Sequence, residues 1–369
     1  MADPLEINAE TLQHWLENGE PVEVVDIRPR PDYEAWHVPG SSNVDAYHHI
    51  YAGRPGPLEN YQPRNDVPVV AVCFVGQTSK IAAQYLRSRG MRATSLHGGM
   101  QSWSLAWNTA RVELPSSTVE LVQVRRTGKG CLSYVLGSSG EALVIDPSLE
   151  AEIYRELAQS RGWEIRKVVD THIHADHISR ARSLAGLAGA EYHLPAQERA
   201  SFEFQSIHPG DVIRVGEASL QAIASPGHTF ESMSLLLDGQ ALFTGDTLFL
   251  ESVGRPDLKA DRKESEARAR LLHRTLRQLA ELSPELIVLP CHTSHPVAFD
   301  RQPIAGDLGG VVERVEALKY DEEQFVEWIL ARIPPNPPNY ATIVQLNERG
   351  INPGIDPTAL EAGANNCAI

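Results

Sequence analysis

The sequence predicts an α/β protein built as two domains, and three observations carry that prediction. Short β-branched runs alternate with helical segments twice along the chain, as they do where helices wrap a largely parallel sheet. A Pro/Ser stretch, LPSSTVE at 114–120, separates the two alternating blocks. The 369 residues also allow about two domains at roughly 150 residues each. The expected domains are residues 1–115, with a parallel sheet, and residues 116–369.

In the first block, NAETLQHWLENG reads as a helix with Asn8 as its N-cap and Gly19 at its end. VEVVDIR and VPVVAVCF read as buried strands, SKIAAQYLRSRG as a helix, and RATSLHG as a further strand. In the second block, LVQVRR, CLSYVLG and EALVIDP read as a meander, followed by the helix AEIYRELAQSRG and the strand IRKVVDTH. DVIRVG, LQAIASPGH, SMSLLLDG, QALFTGDTLF and ELIVLPCH are strand-like, and ESEARARLLHRTLRQLAEL is the clearest amphipathic helix. PPNPPNYATIVQLNERG reads as a proline-rich turn and a short helix, and GANNCAI as a loose tail.

The composition, 42% hydrophobic and 22% charged, is that of a globular protein with a sizeable core. A formal net charge of -15 argues against nucleic acid or an anionic membrane as partner. Apolar runs such as VPVVAVCFV are too short to span a bilayer. MADPLEINAE shows no export leader, and four irregularly spaced cysteines imply no disulfide framework, so a cytoplasmic location is expected.

Seven candidate metal ligands stand at strand ends. THIHADH (171–177) follows the strand IRKVVD and supplies His172, His174, Asp176 and His177. SPGHT adds His228, FTGDT adds Asp246 and LPCHT adds His292. Imidazole and carboxylate suit zinc, iron or manganese. Any one of these residues alone reads as a polar loop residue or a cap. Crowded together they would repel and desolvate one another unless a cation held them.

HIHADH, SPGHT, FTGDT and LPCH, in this order, resemble the metallo-β-lactamase superfamily over roughly residues 118–369. The resemblance implies a four-layer αβ/βα sandwich with metal between its two central sheets, and a superfamily of both hydrolases and oxygenases. GDTLFLESVGRPDL and PPNYATIVQLN resemble its persulfide dioxygenase branch. Carried over from that branch, one Fe(II) per chain would sit on His172, His228 and Asp246. Two histidines and one carboxylate form a facial triad that leaves positions open for O₂ and substrate, whereas redox-inert zinc cannot activate O₂. His174, Asp176, His177 and His292 are left to orient those ligands and transfer protons, or to hold a second metal. Arg255 and Asp257 of the GRPD element form either a loop-ordering salt bridge or a catalytic pair in which Arg255 supports the pocket and the substrate carboxylate. After the last histidine this chain has Thr293 and Ser294, where the branch often carries aspartate and tyrosine.

A second candidate centre is the loop CFVGQT: Cys73, Phe74, Val75, Gly76, Gln77 and Thr78. It lies between a strand and a helix expected to open at Ser79. The backbone N–H groups of such a loop converge on sulfur, and the helix dipole favours a thiolate or a persulfide anion. Alone, the loop reads equally as a small buried cysteine. Its surroundings, DIRPRPDYEAWHVPGSSNV and LHGGMQSWSLAW, resemble the rhodanese family through Asp26, Arg28, Glu34, His37, Pro39, Gly40, Gly98, Gly99 and Trp103. The resemblance implies sulfur transfer through a persulfide on Cys73. The loop closes on Thr78 instead of arginine, which disfavours phosphate chemistry, and Phe74 stands where a basic residue is common.

Cys131 is expected to be buried on a core strand, Cys291 either buried or near the metal, and Cys367 either a bystander in the tail, the favoured reading, or a residue that reaches a sulfur centre. Together the resemblances imply a persulfide dioxygenase that oxidises glutathione persulfide, or another small persulfide, with O₂ to sulfite and thiol, coupled to rhodanese sulfur transfer. The expected partners are these small molecules and further copies of the chain in a homo-oligomer. Two alternatives stand beside this reading. One is a binuclear zinc hydrolase of glutathione thioesters, similar to glyoxalase II. In the other, the rhodanese block is a sensing or docking module without turnover of its own.

Overall fold

The structure is a computed structural model that describes residues 4–115, 118–350, 356–363 and 365–369. Ser116 and Ser117 of the expected linker, and Ala364 of the expected tail, lie outside the described residues.

The first sheet has five parallel strands in the spatial order Glu6–Ile7, Ala93–Leu96, Val69–Val72, Glu23–Asp26 and Ser42–Asn43. Val69–Val72 lies at its centre and is buried along its whole length, which is why it reads as an unbroken apolar run. The helix Ala9–Glu17 starts where Asn8 caps it, with the side chain accepting the Thr11 N–H at 2.8 Å. The helix after the cysteine loop spans Gln77–Ser88 and opens two residues before Ser79. Gly76 precedes it with φ +84, a left-handed conformation that lets the loop turn directly into the helix.

Two further sheets stack face to face. A seven-stranded sheet runs Gln205–Ile207, Glu191–Pro195, Glu164–Val169, Glu141–Ile145, Cys131–Ser138, Glu120–Arg126 and Asn108–Val112. A six-stranded sheet runs Val212–Val215, Ala218–Ala224, Met233–Leu237, Ala241–Gly245, Ile287–Pro290 and Gly306–Asp307. Asn108–Val112 pairs antiparallel with Glu120–Arg126, so the second sheet begins ahead of the boundary expected at residue 115.

One buried cluster joins the facing sides of these sheets, with Leu121, Tyr134 and Leu143 meeting Leu220, Leu235 and Phe243. The outer face of the seven-stranded sheet is covered by the helices Ala151–Gln159 and Ala181–Ala188. The outer face of the six-stranded sheet is covered by Arg262–Ala280, Leu308–Arg314 and Glu322–Leu330. Helix, sheet, sheet and helix make four layers, because each amphipathic helix and each sheet face must bury its apolar side. Among the described residues, no helix is long and apolar enough to cross a membrane.

The C-terminal segment corrects the expectation of a loose tail. Pro357–Glu361 is a short helix, and residues 367–369 pair with residues 253–255. Cys367 and Glu361 are buried.

Candidate metal centre and sulfur loop

Four loops leave strand ends and converge. Glu164–Val169 leads into His172, His174, Asp176 and His177; Ala218–Ala224 leads into His228; Ala241–Gly245 into Asp246; and Ile287–Pro290 into His292. All seven expected ligands are buried. They divide into three groups.

His172, His228 and Asp246 bring one donor atom each within 4.8 Å of one another. Asp246 Oδ2 lies 3.7 Å from His172 Nε2 and 3.5 Å from His228 Nε2. Asp246 Oδ2 and His172 Nε2 are buried without a hydrogen-bond partner, an arrangement that costs free energy unless a cation takes both. Both rings have their other nitrogen engaged. His228 Nδ1 lies 2.8 Å from the Arg255 carbonyl oxygen, a donor's distance, and His172 Nδ1 lies 3.0 Å from Thr171 Oγ1. Such contacts orient an imidazole so that its Nε2 lone pair faces the metal. Burial holds both histidines below their usual pKa, in the neutral form a metal needs. Burial would raise Asp246, but the His292, His228 and His172 imidazoles outweigh it and hold the carboxyl below its usual range. This donor set therefore fits a divalent first-row metal.

The second group is Cys131, Asp176, His177 and His292, also within 4.8 Å of one another. His177 Nε2 is buried and unpartnered. His292 Nε2 stands 2.8 Å from Asp176 Oδ2 without the alignment of a hydrogen bond. Burial and the Asp176 carboxylate push the Cys131 thiol up, but hydrogen bonding to His177 and His292 outweighs them and leaves it at about 7. Cys131 is thus buried, as its strand suggested, and also faces the ligands. The third group holds His174, whose Nε2 lies 3.2 Å from Asp146 Oδ1 and 3.7 Å from Asp170. Asp146 further accepts the Thr171 N–H at 2.7 Å and hydroxyl at 2.9 Å, so it orders the whole ligand loop.

Cys291 is both buried and near the metal residues. Its Sγ donates to Asp246 Oδ1 at 2.8 Å, and burial beside that carboxylate keeps it a thiol, well above its usual range. Cys367 joins Asp246 and His292 in a further group of donors within 4.8 Å. Asp146 did not stand out in the sequence, because it follows an ordinary strand; Cys367, expected as a tail bystander, is instead buried beside these residues. A cleft of about 290 Å³ lined by Phe249, Ser252, Thr293 and Ser294 opens onto His292.

Arg255 and Asp257 pair with each other and tie their loop to the C-terminal segments. The five N–H groups of Arg255 make six contacts, Nη2 sharing its two among three acceptors: two on Asp257, at 2.8 and 2.7 Å, and four on the carbonyls of Pro334, Pro335 and Asn366 and on Asn336 Oδ1. No donor is left for a substrate carboxylate. Gly254 before it is required by close approach, because a Cβ there would meet the Asp246 carbonyl oxygen at 1.8 Å. Asn347, in the PPNYATIVQLN stretch, steadies the ligand loop by donating to the carbonyls of His174 at 2.8 Å and His177 at 2.9 Å.

The cysteine loop forms the expected cradle. The N–H groups of Gly76 and Ser79 point at Cys73 Sγ from 3.2 and 3.3 Å, and the Ser79 hydroxyl adds a contact at 3.2 Å. Ser79 lies one residue past the expected loop. Phe74 is half-buried under the Arg28 guanidinium, Val75 and Gln77 are exposed, and Thr78 is buried. The Gly98-Gly99 pair is explained by packing: a Cβ on Gly99 would meet the Cys73 carbonyl oxygen at 2.3 Å. Met100 N–H bonds that same carbonyl at 2.8 Å. Arg28 pairs with Asp26, whereas Glu34 pairs with Arg30 on the surface, away from the sulfur.

The loop and the ligand groups are separate, joined through the C-terminal helix. Gln101, beside the cysteine loop, donates to Thr358 Oγ1 at 3.2 Å. Three residues on, Glu361 takes Arg126 and Arg180 at 2.7 Å each. Trp36 Nε1 also crosses between the domains to the Gly128 carbonyl at 2.8 Å.

Comparison with known proteins agrees with this architecture. The metallo-beta-lactamase superfamily matches residues 126–292, and a rhodanese-like domain matches residues 8–106. The mitochondrial persulfide dioxygenase ETHE1 of Bos taurus is 32% identical over 173 residues, which are 45% of this chain and 66% of that protein. The chain thus spans just under two thirds of that relative's length. The hydroxyacylglutathione hydrolase of Methylococcus capsulatus is 30% identical over 206 residues, 52% of this chain and 75% of that protein. The crystal structure of ETHE1 from Myxococcus xanthus superposes with a TM-score of 0.55 at 26% identity, covering 61% of this chain and 96% of that one. A metallo-beta-lactamase from Staphylococcus aureus gives 0.59 at 26% identity, covering 64% and 74%. The chain belongs to the metallo-beta-lactamase superfamily, carrying a rhodanese-like domain ahead of its metallo-beta-lactamase fold.

Proposed function

We propose that this protein is a persulfide dioxygenase with a coupled sulfurtransferase domain. The observation that carries the reading is the buried trio His172, His228 and Asp246, two imidazoles and a carboxylate with donor atoms within 4.8 Å of one another, of which His172 Nε2 and Asp246 Oδ2 have no hydrogen-bond partner. A facial triad of this type holds one ferrous ion and leaves positions open beside it. When bound, iron supplies the redox chemistry that O₂ requires. The net reaction consumes a persulfide, O₂ and water and yields the thiol, sulfite and two protons. The similarity to ETHE1 of Bos taurus and of Myxococcus xanthus supports it. So does the cradle around Cys73, which is suited to a persulfide anion.

The chain's own groups have definable parts. The Arg255 carbonyl and Thr171 orient the two ligand imidazoles. The buried setting excludes bulk water, and the cleft at His292 gives a small persulfide its approach. Gly76, Ser79 and the helix N-terminus hold negative charge on Cys73 sulfur, so a sulfane sulfur can rest there before transfer to a thiol or to sulfite.

A second reading is favoured by one observation. Cys131, Asp176, His177 and His292 form a further complete donor group, as a binuclear zinc hydrolase of glutathione thioesters would use. Similarity to hydroxyacylglutathione hydrolases supports it.

The deciding experiment is O₂ uptake by anaerobically Fe(II)-loaded protein on addition of glutathione persulfide. Uptake with sulfite release, lost in His228→Ala, is expected. Absence of uptake in folded, iron-loaded protein, together with thioester hydrolysis by the zinc-loaded form, would overturn the dioxygenase reading in favour of the hydrolase.

A further inference from the structure

We propose that Cys367 is a metal ligand: the segment paired with residues 253–255 delivers a sulfur donor to the ion that Asp246 and His292 would hold. The donor atoms of these three residues lie within 4.8 Å of one another, and all three residues are buried. Asp246 Oδ2 is independently open, since it is buried and has no hydrogen-bond partner. Asp246 also belongs to the His172–His228 trio, so it is the residue the two groups share.

The backbone places the thiol there. Val253 N–H donates to the Ile369 carbonyl at 3.1 Å and Ile369 N–H returns to the Val253 carbonyl at 2.8 Å. Arg255 N–H donates to the Cys367 carbonyl at 3.0 Å, and the Arg255 guanidinium holds the Asn366 carbonyl at 3.1 Å. Ladder bonds to Cys367 and to Ile369 leave the Cys367 backbone little freedom to swing away. The strand it pairs with is the segment whose Arg255 carbonyl orients His228. The tail, the triad ligand and the clamp of Arg255 are therefore one construction.

Coordination is a proton exchange without redox change. The Cys367 S–H bond breaks, its proton leaves to solvent, and a sulfur–metal bond forms. Thiolate suits Fe(II), Zn(II) and Co(II) alike. A sulfur tethered there would compete with an incoming thiol or persulfide for the metal. The assignment does not depend on which reaction the site runs.

Two other thiols are rivals. Cys291 is committed as a donor to Asp246 Oδ1 at 2.8 Å. Cys131 belongs to the group with Asp176, His177 and His292.

The test is the near-ultraviolet thiolate-to-metal charge-transfer band of the full chain loaded with Co(II). The band is expected in the wild type, retained in Cys291→Ser, and reduced at least twofold in Cys367→Ser at equal cobalt content. An unchanged band in folded Cys367→Ser overturns the proposal, as does complete loss of the band in Cys131→Ser at equal cobalt content. Where Cys367→Ser does not fold, zinc-edge X-ray absorption of the Cys131→Ser/Cys291→Ser double variant decides. One sulfur scatterer supports Cys367, and none overturns it.

Discussion

Glu361 accepts the backbone N–H of Ile178 at 2.9 Å, one residue after the metal-facing His177. The same carboxylate pairs with Arg126 and Arg180, and its own carbonyl takes Lys129 Nζ at 2.7 Å. A residue eight positions before Ile369 thereby locks the loop that carries four candidate ligands.

Acid should release this lock in a defined window. Burial alone would raise Glu361, but the Arg126 and Arg180 guanidinium groups outweigh it and hold the carboxyl at about 2, from an ordinary value of 4.5. Because the folded pKa is depressed, its contribution is complete above 4.5 and is lost as pH falls toward about 2. Glu361→Gln leaves two buried guanidinium groups short of a partner and should cost about 3–5 kcal/mol at neutral pH. Urea unfolding at several pH values checks both. The variant should lose the part of the acid dependence that the wild type shows in that window.

Arg255→Lys should destabilise by about 3–5 kcal/mol, since a lysine cannot replace five N–H groups in a fixed fork and leaves Asp257 and the prolyl carbonyls under-satisfied. Equilibrium unfolding measures the loss. A variant of wild-type stability with depressed turnover would sink the clamp role and restore a catalytic one.

Gly99→Ala should abolish sulfur transfer through Cys73. The new methyl would sit 2.3 Å from the Cys73 carbonyl oxygen, at a residue with φ +55. The strain and displacement are worth about 1–3 kcal/mol. Sulfur transfer to cyanide should fall while metal content stays constant. Retained transfer would show that the cradle tolerates the shift.

Chelation should lower the melting temperature of the second domain. The unpartnered donor atoms of His172, His177, Asp246 and His292 are left uncompensated without an ion. At metal 100-fold above Kd the linkage is about 2.7 kcal/mol, or roughly 5–10 °C for a domain of this size. Calorimetry with and without chelator reads it. His172→Ala should remove most of the metal-dependent shift.

What the sequence determined by itself is the parts whose signal is local. Strand and helix periodicity located twelve of the eighteen strands among the described residues, because each half-buried element must repeat its apolar residues at its own period; the two-residue strands and Asn108–Val112, Glu191–Pro195 and Gln205–Ile207 escaped it. The seven candidate ligands were legible because strand-end loops place His and Asp in dense, short motifs such as THIHADH. The cradle of Cys73 was legible for the same reason, since a strand, a short loop and a helix follow one another along the chain.

Tertiary structure alone decided the rest. Arg255 looks the same in sequence whether it meets a substrate or its own loop, and only folding brings Pro334, Pro335 and Asn366 to its donors. The polar composition of GANNCAI reads as a loose end. The pairing of residues 367–369 with 253–255 makes it a buried edge beside the metal ligands. Glu361, Arg126 and Arg180 are ordinary surface residue types until burial forces them together, 235 and 181 positions apart. Contacts of that range leave no periodic trace, because what selects them is desolvation in the assembled fold and not the preference of any local segment.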